Sequence, residues 1–537
     1  MDCRALSFRQ LPHQPKLFLE YLDHFARVKS FFVYPPTMQA VARAAQKLDY
    51  PPERRSEVAR LLRKQNTALG AGAETLSNLE RLEKGAVAVV SGQQVGLFSG
   101  PAYSVYKALT AVQIAEELTR SGIPAVPVFW MATEDHDLEE VRHSTWFDQG
   151  KQIRFELPVA PEAGAPVGQI RLGPPVEPLV QEAAELLVHQ GSDLLAGFLK
   201  ESYRPEETYG SAFGKLFARL FAQHGLILMD PLDPGLHRLA APLYQHALAE
   251  RDGLNAKLLQ RGKDLDRAGF AAQVKVTSRS TLLFILDQGA RQVITAGNGK
   301  YQAGERAWAR DELVHMTHSD PEKFSPNVLF RPVVQDYLLP TAANIGGPAE
   351  ISYTAQSEVV YRHLLGRMPV MLPRAGFTLV DAKAKKLLRR YGLAVEDVWS
   401  GSQDLRHKME ERSVPKSMAK DFDRDQKQIA KMLAQLGRRI EKLDPTLKGT
   451  VERSRKRIEF HLEKLRRKAG RAQDQKTQLI SAHEQHLESL LYPHKALQSR
   501  ELCLLPFLAR WGTGALSELQ KLSTGKKLGH HFILQLP

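Results

Sequence analysis

A chain of 537 residues is too long for one simple hydrophobic core, so two to four structural units are expected. Its 43% apolar and 25% charged residues are ordinary for a globular protein, and no apolar run reaches the roughly 20 residues that a membrane span needs. Two cysteines, Cys3 and Cys503, exclude a disulfide framework and a cysteine-rich zinc site, and with no signal-peptide pattern in the opening residues the expected compartment is the cytoplasm.

From Leu17 to Leu82 the pattern is helical, broken at Pro35-Pro36 and Pro51-Pro52. The period then changes. Ala86 to Val90 is a uniformly apolar run of the kind found in strands covered on both faces. A glycine-rich stretch, Ser91 to Gly100, leads to a helical pattern from Pro101 to about Arg120, and Ala125 to Met131 supplies the next strand. Such a β-loop-α-β unit builds a parallel sheet.

The stretch from Pro158 to Pro178 is rich in Pro, Gly and Glu and reads as an insertion. A helix from Ser211 to His224 and a strand from Leu226 to Asp230 return to the core. Short alternating runs at Gln273–Val276, Leu282–Leu286 and Gln292–Thr295 predict a second inserted module. Strands near Thr341–Ile345 and Val370–Leu372 resume the sheet. The fold class is α/β: a Rossmann-like parallel-sheet core with two inserted connecting modules and a C-terminal antiparallel coiled coil. The predicted limits are 1–155 for the N-terminal helices and the first half of the core, and 156–210 for the first insertion. The core continues over 211–240, the second insertion covers 241–330, and 331–402 is the second half of the core. The arm spans 403–491, and 492–537 packs back on the core or the arm.

In the arm, Ile429, Leu433, Leu436, Ile440, Leu443 and Leu447 step by four and three, the seam of a coiled coil. Asp444-Pro445 joins a favoured N-cap to a favoured first helical residue, so a second helix begins there. An antiparallel hairpin is the simplest arrangement, and one kinked helix is the alternative. Much of the formal charge of +14 lies in this arm, between Arg438 and Arg471, with no series of stacking aromatics. A solvated helical face is therefore expected, and nucleic acid is not an expected partner.

Three constellations can carry chemistry. In the first, Ser91, Gly92, Gln93, Gln94, Gly96 and Gly100 lie between a buried strand and a helix bearing Tyr103 and Lys107. Backbone amides beside a helix N-terminus suit a phosphate or carboxylate, and paired glutamines suit a ligand better than a core. The bland alternative is a tight turn, with Lys107 lying on the surface. In the second, Trp130 precedes Glu134, Asp135, His136 and Asp137 at the carboxyl end of a strand, where ligands bind in open α/β sheets. Its carboxylates can hold an ammonium group or a magnesium-nucleotide, and His136 can act as a base or bind phosphate. Asp137 with Glu140 also has the spacing of a capping box for a helix running to His143. In the third, Asn344, Gly346, Gly347, Glu350, Tyr353 and Gln356 join a strand to a helix that starts at Pro348. Glu350 there can simply offset the helix dipole. No metal ligand set is assigned. Cys503, within an apolar run, reads as a buried structural thiol.

The segments SGQQVGLFSGPAYSVYK, PVFWMATEDHD, IGGPAEISYTAQ and QSRELCLLPFL, with the arm before the last, resemble the BshC family of bacillithiol biosynthesis nearly end to end. The resemblance implies a core similar to class I aminoacyl-tRNA synthetases and nucleotidyltransferases, and a coiled coil that mediates homodimerisation. It also implies a cytoplasmic ligase joining L-cysteine to glucosaminyl-malate through an amide on the glucosamine nitrogen. No HIGH- or KMSKS-type motif is evident. Amide formation from a free carboxylate is uphill in water, so ATP with Mg is the expected activator. Two other readings stay open: a nucleotidyltransferase-like enzyme acting on another small acid, and an RNA-binding or scaffold protein using the basic arm.

Overall fold

The computed structural model describes residues 3–159, 164–297, 299–412, 416–477, 479–512 and 514–536. Apolar runs flanked by turn residues form strands buried on both faces, and five of them make a parallel sheet. These are β1 (Val87–Gln93), β2 (Ala125–Met131), β3 (Ile227–Met229), β4 (Thr341–Gly346) and β5 (Val370–Pro373). Their spatial order is β5-β4-β1-β2-β3. Helix α1 (Ala102–Arg120) crosses from β1 to β2, and α2 (Pro348–Leu364) from β4 to β5. The chain runs outward from β1 in one direction and from β4 in the other. The switch point therefore lies between β1 and β4, and ligands are expected outside their carboxyl ends.

Between β2 and β3 stand a hairpin, His143–Asp148 with Lys151–Glu156, and the helices Val176–His189, Asp193–Ser202 and Tyr209–Leu220. Residues 160–163, part of the Pro- and Gly-rich stretch expected to open an insertion, lie outside the described residues. Between β3 and β4 come two helices, Pro234–Ala249 and Arg251–Arg267, and an antiparallel sheet containing Ser280–Asp287 and Ala290–Gly297.

Four local expectations need correction. Strand β1 continues through Gln93, so Ser91 and Gly92 belong to the sheet rather than to a loop. The helix after Asp137 covers only Leu138–Val141, because the β-branched and aromatic residues from Thr145 to Phe147 pair as a strand instead. The helix expected from Ser211 to His224 is Tyr209–Leu220. Gln273–Val276 forms no strand: the amides of Gln273 and Val274 both donate to Gln356 Oε1 at 2.9 Å, so a side chain from α2 replaces a partner strand.

The arm is an antiparallel hairpin of α3 (Lys416–Leu443) and α4 (Lys448–Thr477), followed by Leu479–Leu491. Its 28-residue first helix is about 42 Å long at 1.5 Å per residue. Arg466 pairs with Asp423 at 2.8 Å and Gly437 faces Val451, contacts that a single kinked helix does not make. Asp444 Oδ1 accepts from the Thr446 amide at 2.8 Å and caps the turn that Pro445 opens. Residues 413–415 and 478, within the span expected to be helical, are outside the described set. The last strand, His530–Gln535, lies between Cys3–Ser7 and Gly376–Val380.

Candidate active site

A cavity of about 670 Å³ opens at the carboxyl ends of β1 and β2, the size of a small-molecule site. One wall is the sheet edge with Gly92, Gln93, Gln94, Trp130, Glu134, Asp135 and His136, joined by Glu350 and Tyr353 from α2. The opposite wall comes from the module between β3 and β4 and includes Lys275, Phe284 and Arg291, while Arg331 follows just after it.

The register makes the first wall. Gly92 pairs with Trp130 and Gln93 with Met131, which brings the glutamine pair beside the acidic turn. A Cβ on Gly92 would stand 2.8 Å from the Trp130 carbonyl oxygen, so glycine is needed here for close strand approach. Gly92→Ala is expected to cost about 1–3 kcal/mol, read as a shift in the urea midpoint.

Gln94 Nε2 donates to Asp135 at 2.8 Å and to Glu140 at 2.7 Å. Gln93 Nε2 donates to the Tyr103 hydroxyl at 2.9 Å, while Gln93 Oε1 accepts from Lys107 at 2.8 Å. Lys107 is buried rather than on the surface. It also donates to the Gly92 carbonyl at 2.8 Å and pairs with Glu350 at 2.5 Å. This ion pair ties α1 to α2 across the switch point. Burial lowers the lysine pKa and the carboxylate opposes that shift.

The four residues of the acidic turn divide by environment. Asp135 accepts the His136 amide at 2.8 Å and the Gln94 amide, so it is engaged by its own turn. Asp137 accepts the Glu140 amide at 3.3 Å as an N-cap and is not part of the cavity wall. His136 is partly exposed, and its Nδ1 stands 3.2 Å from Arg291 Nη1, which can only donate. The same nitrogen lies 3.7 Å from Asp135 Oδ1. Glu134 is buried and receives no hydrogen bond from any described residue; its nearest ionisable contact is His237 Nε2 at 3.8 Å. Burial raises its pKa to about 7, against the pull of Arg291. Burial also holds His237 down at about 4, so that ring is neutral and does not offset the carboxylate.

The glycine turn is built for packing. Phe98, Ser99 and Gly100 all have positive φ, and a Cβ on Gly96 would lie 2.8 Å from Gly100 Cα. Cys503 is buried beneath this turn, with its thiol 3.2 Å from the Phe98 carbonyl that it bonds and its pKa pushed up to about 11 by burial. The second glycine turn also has its amide occupied: Gly347 N donates to Glu350 at 2.6 Å. The two glycine turns expected to cradle phosphate are thus closed by their own contacts. Ser91 and Asn344 are buried within their strands, and neither they nor Gly346 and Gly347 line the cavity. Gln356 fastens the segment at Gln273 and Val274 instead of lining the cavity.

The cations that do face the cavity were not singled out from the sequence. Arg291 Nε donates to Ser325 at 2.8 Å and Arg291 Nη2 to the Pro326 carbonyl at 2.8 Å, which aims the remaining nitrogen at the acidic turn. Arg331 Nη1 donates to Gln335 at 3.0 Å, and its charge is favoured by nearby Tyr353 and Glu350. Among the described residues, no helix is long and apolar enough to cross a membrane, and no cluster of three or more His, Cys, Asp or Glu residues has the spacing to hold a metal ion.

Sheet, switch point and cleft define a Rossmann-like protein whose cleft is completed by an inserted module, with a coiled-coil arm beyond it. Residues 1–375 match the family model described as Bacillithiol biosynthesis BshC, N-terminal Rossmann-like domain, and residues 377–535 match the BshC C-terminal coiled-coil domain. The chain belongs to the BshC family. It is 43% identical to a Koribacter versatilis protein named "Putative cysteine ligase BshC", over 96% of this chain and 97% of that one. Relatives of the same name from Solibacter usitatus and Salinibacter ruber are 38% and 33% identical. The Solibacter match covers 95% of this chain and 96% of the relative; the Salinibacter match covers 94% of each.

Proposed function

We propose that this protein is a ligase that forms an amide between the carboxyl group of L-cysteine and the amine of glucosaminyl-malate, with Mg-ATP activating the carboxylate. The observation that carries this reading is a buried carboxylate without a hydrogen-bond donor, Glu134, in a cleft that also holds Arg291, Arg331 and Lys275. ATP supplies the chemistry of a good leaving group on the cysteine carbonyl. The cations suit its phosphates, whereas the two glycine turns do not, because their own packing and Glu350 occupy them. The glucosamine nitrogen bonds to the cysteinyl carbon, the carbon–oxygen bond to phosphate breaks, and the proton lost by nitrogen passes to Glu134. Glu134 suits this role better than His136, whose Nδ1 already faces Arg291 Nη1 at 3.2 Å. Asp135, held by Gln94, orients the turn and remains the candidate for the cysteine ammonium; Asp137 supports it as the cap.

The test is mass-spectrometric detection of bacillithiol from purified protein, glucosaminyl-malate, labelled cysteine and Mg-ATP, with ATP omitted in parallel. Product only with ATP supports the ligase. Product in both tubes removes ATP from the scheme, and product in neither removes the ligase reading for these substrates.

We further propose that the arm pairs two copies of the chain. Met432, Leu443, Phe460 and Leu465 are each more than half exposed on the arm, an apolar surface that a second arm would cover. Light scattering should give twice the 60.2 kDa chain mass for the wild type and a single chain mass for Phe460→Glu/Leu465→Glu. A double variant that keeps the wild-type mass would place the dimer contact elsewhere.

A further inference from the structure

A second cavity, of about 250 Å³, adjoins the main cleft and shares Gln93, Gln94 and Glu140 with it. It lies at the N-terminal end of α1, whose 19 residues direct the positive end of the helix dipole toward it. Tyr103, Ser104, His143 and Arg500 are in its walls. Two features are unexplained by packing. Ser104 is 1% exposed, and its Oγ has no hydrogen-bond partner among the described residues. Arg500 is exposed and donates its backbone amide to the Leu497 carbonyl. Its guanidinium makes no hydrogen bond or ion pair with any described residue, although a second guanidinium, that of buried Arg374, lies close enough to feel its charge. Burial and this like charge hold Arg374 down at about 10, against the opposing pull of Glu350, a carboxylate already paired with Lys107. The two carboxylates in the wall of this cavity are engaged elsewhere. Glu140 accepts from Gln94 at 2.7 Å, and Glu501 lies 3.1 Å from His494 Nδ1.

We infer that this cavity is the subsite for the dicarboxylate end of the acceptor, the malyl group, with the Arg500 guanidinium and the Ser104 hydroxyl as its anion-binding groups. The Ala102 and Ser104 amides already donate to the Leu502 and Pro101 carbonyls, so α1 contributes only its dipole. The inference rests on the ligase reading above. Its chemical ground is that two kinds of carboxylate take part in that reaction. The cysteine carboxylate is consumed and must sit with the activating nucleotide in the main cleft. The malyl carboxylates survive the reaction, so they can be held in a side pocket while the sugar passes the Gln93–Gln94 wall and presents its amine to Glu134.

The test has a binding arm and a turnover arm, both on the full chain. Titration calorimetry with glucosaminyl-malate and no other substrate should show affinity about tenfold or more weaker in Arg500→Ala, as expected for loss of a charge-assisted hydrogen bond. A smaller loss is expected in Ser104→Val. Arg500→Lys, which keeps a charge but not the planar fork, should fall between Arg500→Ala and the wild type. In turnover, Arg500→Ala should raise KM for glucosaminyl-malate by the same factor and leave KM for cysteine unchanged. With glucosamine, an acceptor lacking the malyl group, the wild type and Arg500→Ala should bind equally weakly. Unchanged affinity for glucosaminyl-malate in Arg500→Ala overturns the subsite whatever the turnover shows. A rise in KM for cysteine instead would assign the pocket to the other substrate. Absence of product from a wild type that does bind glucosaminyl-malate would fault the ligase reading and leave the subsite standing.

Discussion

Replacing Glu134 by Gln should lower the rate of amide formation by about 10²–10⁴-fold at pH 8, the usual contribution of a positioned general base. The same change should make the protein more stable. The native carboxyl titrates near 7 because burial disfavours its charge, whereas the unfolded chain has the ordinary value of 4.5. Between those values the unfolded state has already lost a proton that the native state still holds. Stability therefore falls as pH rises from about 4.5 to 7, and the full cost is present above 7. A shift of this size corresponds to about 3 kcal/mol, and Gln removes the charge that causes it. The wild-type rate should rise with pH through about 7 and level off, because the base must be ionised. Thermal melts and a pH–rate profile check both halves. His136→Ala is the control: if it loses the limb near 7 and Glu134→Gln keeps it, the base is His136.

The second large effect is structural. Lys107→Met removes the countercharge from Glu350 and the donor from both the Gly92 carbonyl and Gln93. Breaking a buried ion pair from one side typically costs about 3–5 kcal/mol. Glu350 keeps 29% of its side-chain exposure, so water screens part of that loss and the lower end is expected. Adding Glu350→Gln should recover only part of this, because the carboxylate left without its lysine is gone but buried Arg331 and Arg374 lose its pull. Urea unfolding of the two variants measures this as a double-mutant comparison. A single-variant loss below about 1 kcal/mol would mean that the pair contributes no more than an exposed one.

Several parts of this protein were legible in the residues because local rules decide them. The apolar runs at Val87 and Ala125 form adjacent parallel strands, since a strand covered on both faces has to be apolar throughout. The Arg466–Asp423 contact decides that the arm folds back as a hairpin, but the four-three spacing from Ile429 and the Asp444-Pro445 step by themselves mark its two helices and the break between them. The acidic turn after Trp130 lies at a sheet edge for the same kind of reason. Other features depend on contacts that no local pattern encodes. A glycine reads alike whether it cradles an anion or admits a neighbouring backbone; only the Gly92–Trp130 register and the closed Gly96–Gly100 turn distinguish the two. Lys107 in sequence is a helix residue facing an unknown side, and the fold buries it against Glu350. Arg291 meets His136 across 155 positions because the module between β3 and β4 folds over the sheet edge. Hydrophobic periodicity thus determined the elements and their order. The tertiary structure decided which polar groups face the cleft, because burial, charge and hydrogen-bond saturation are properties of the assembled site.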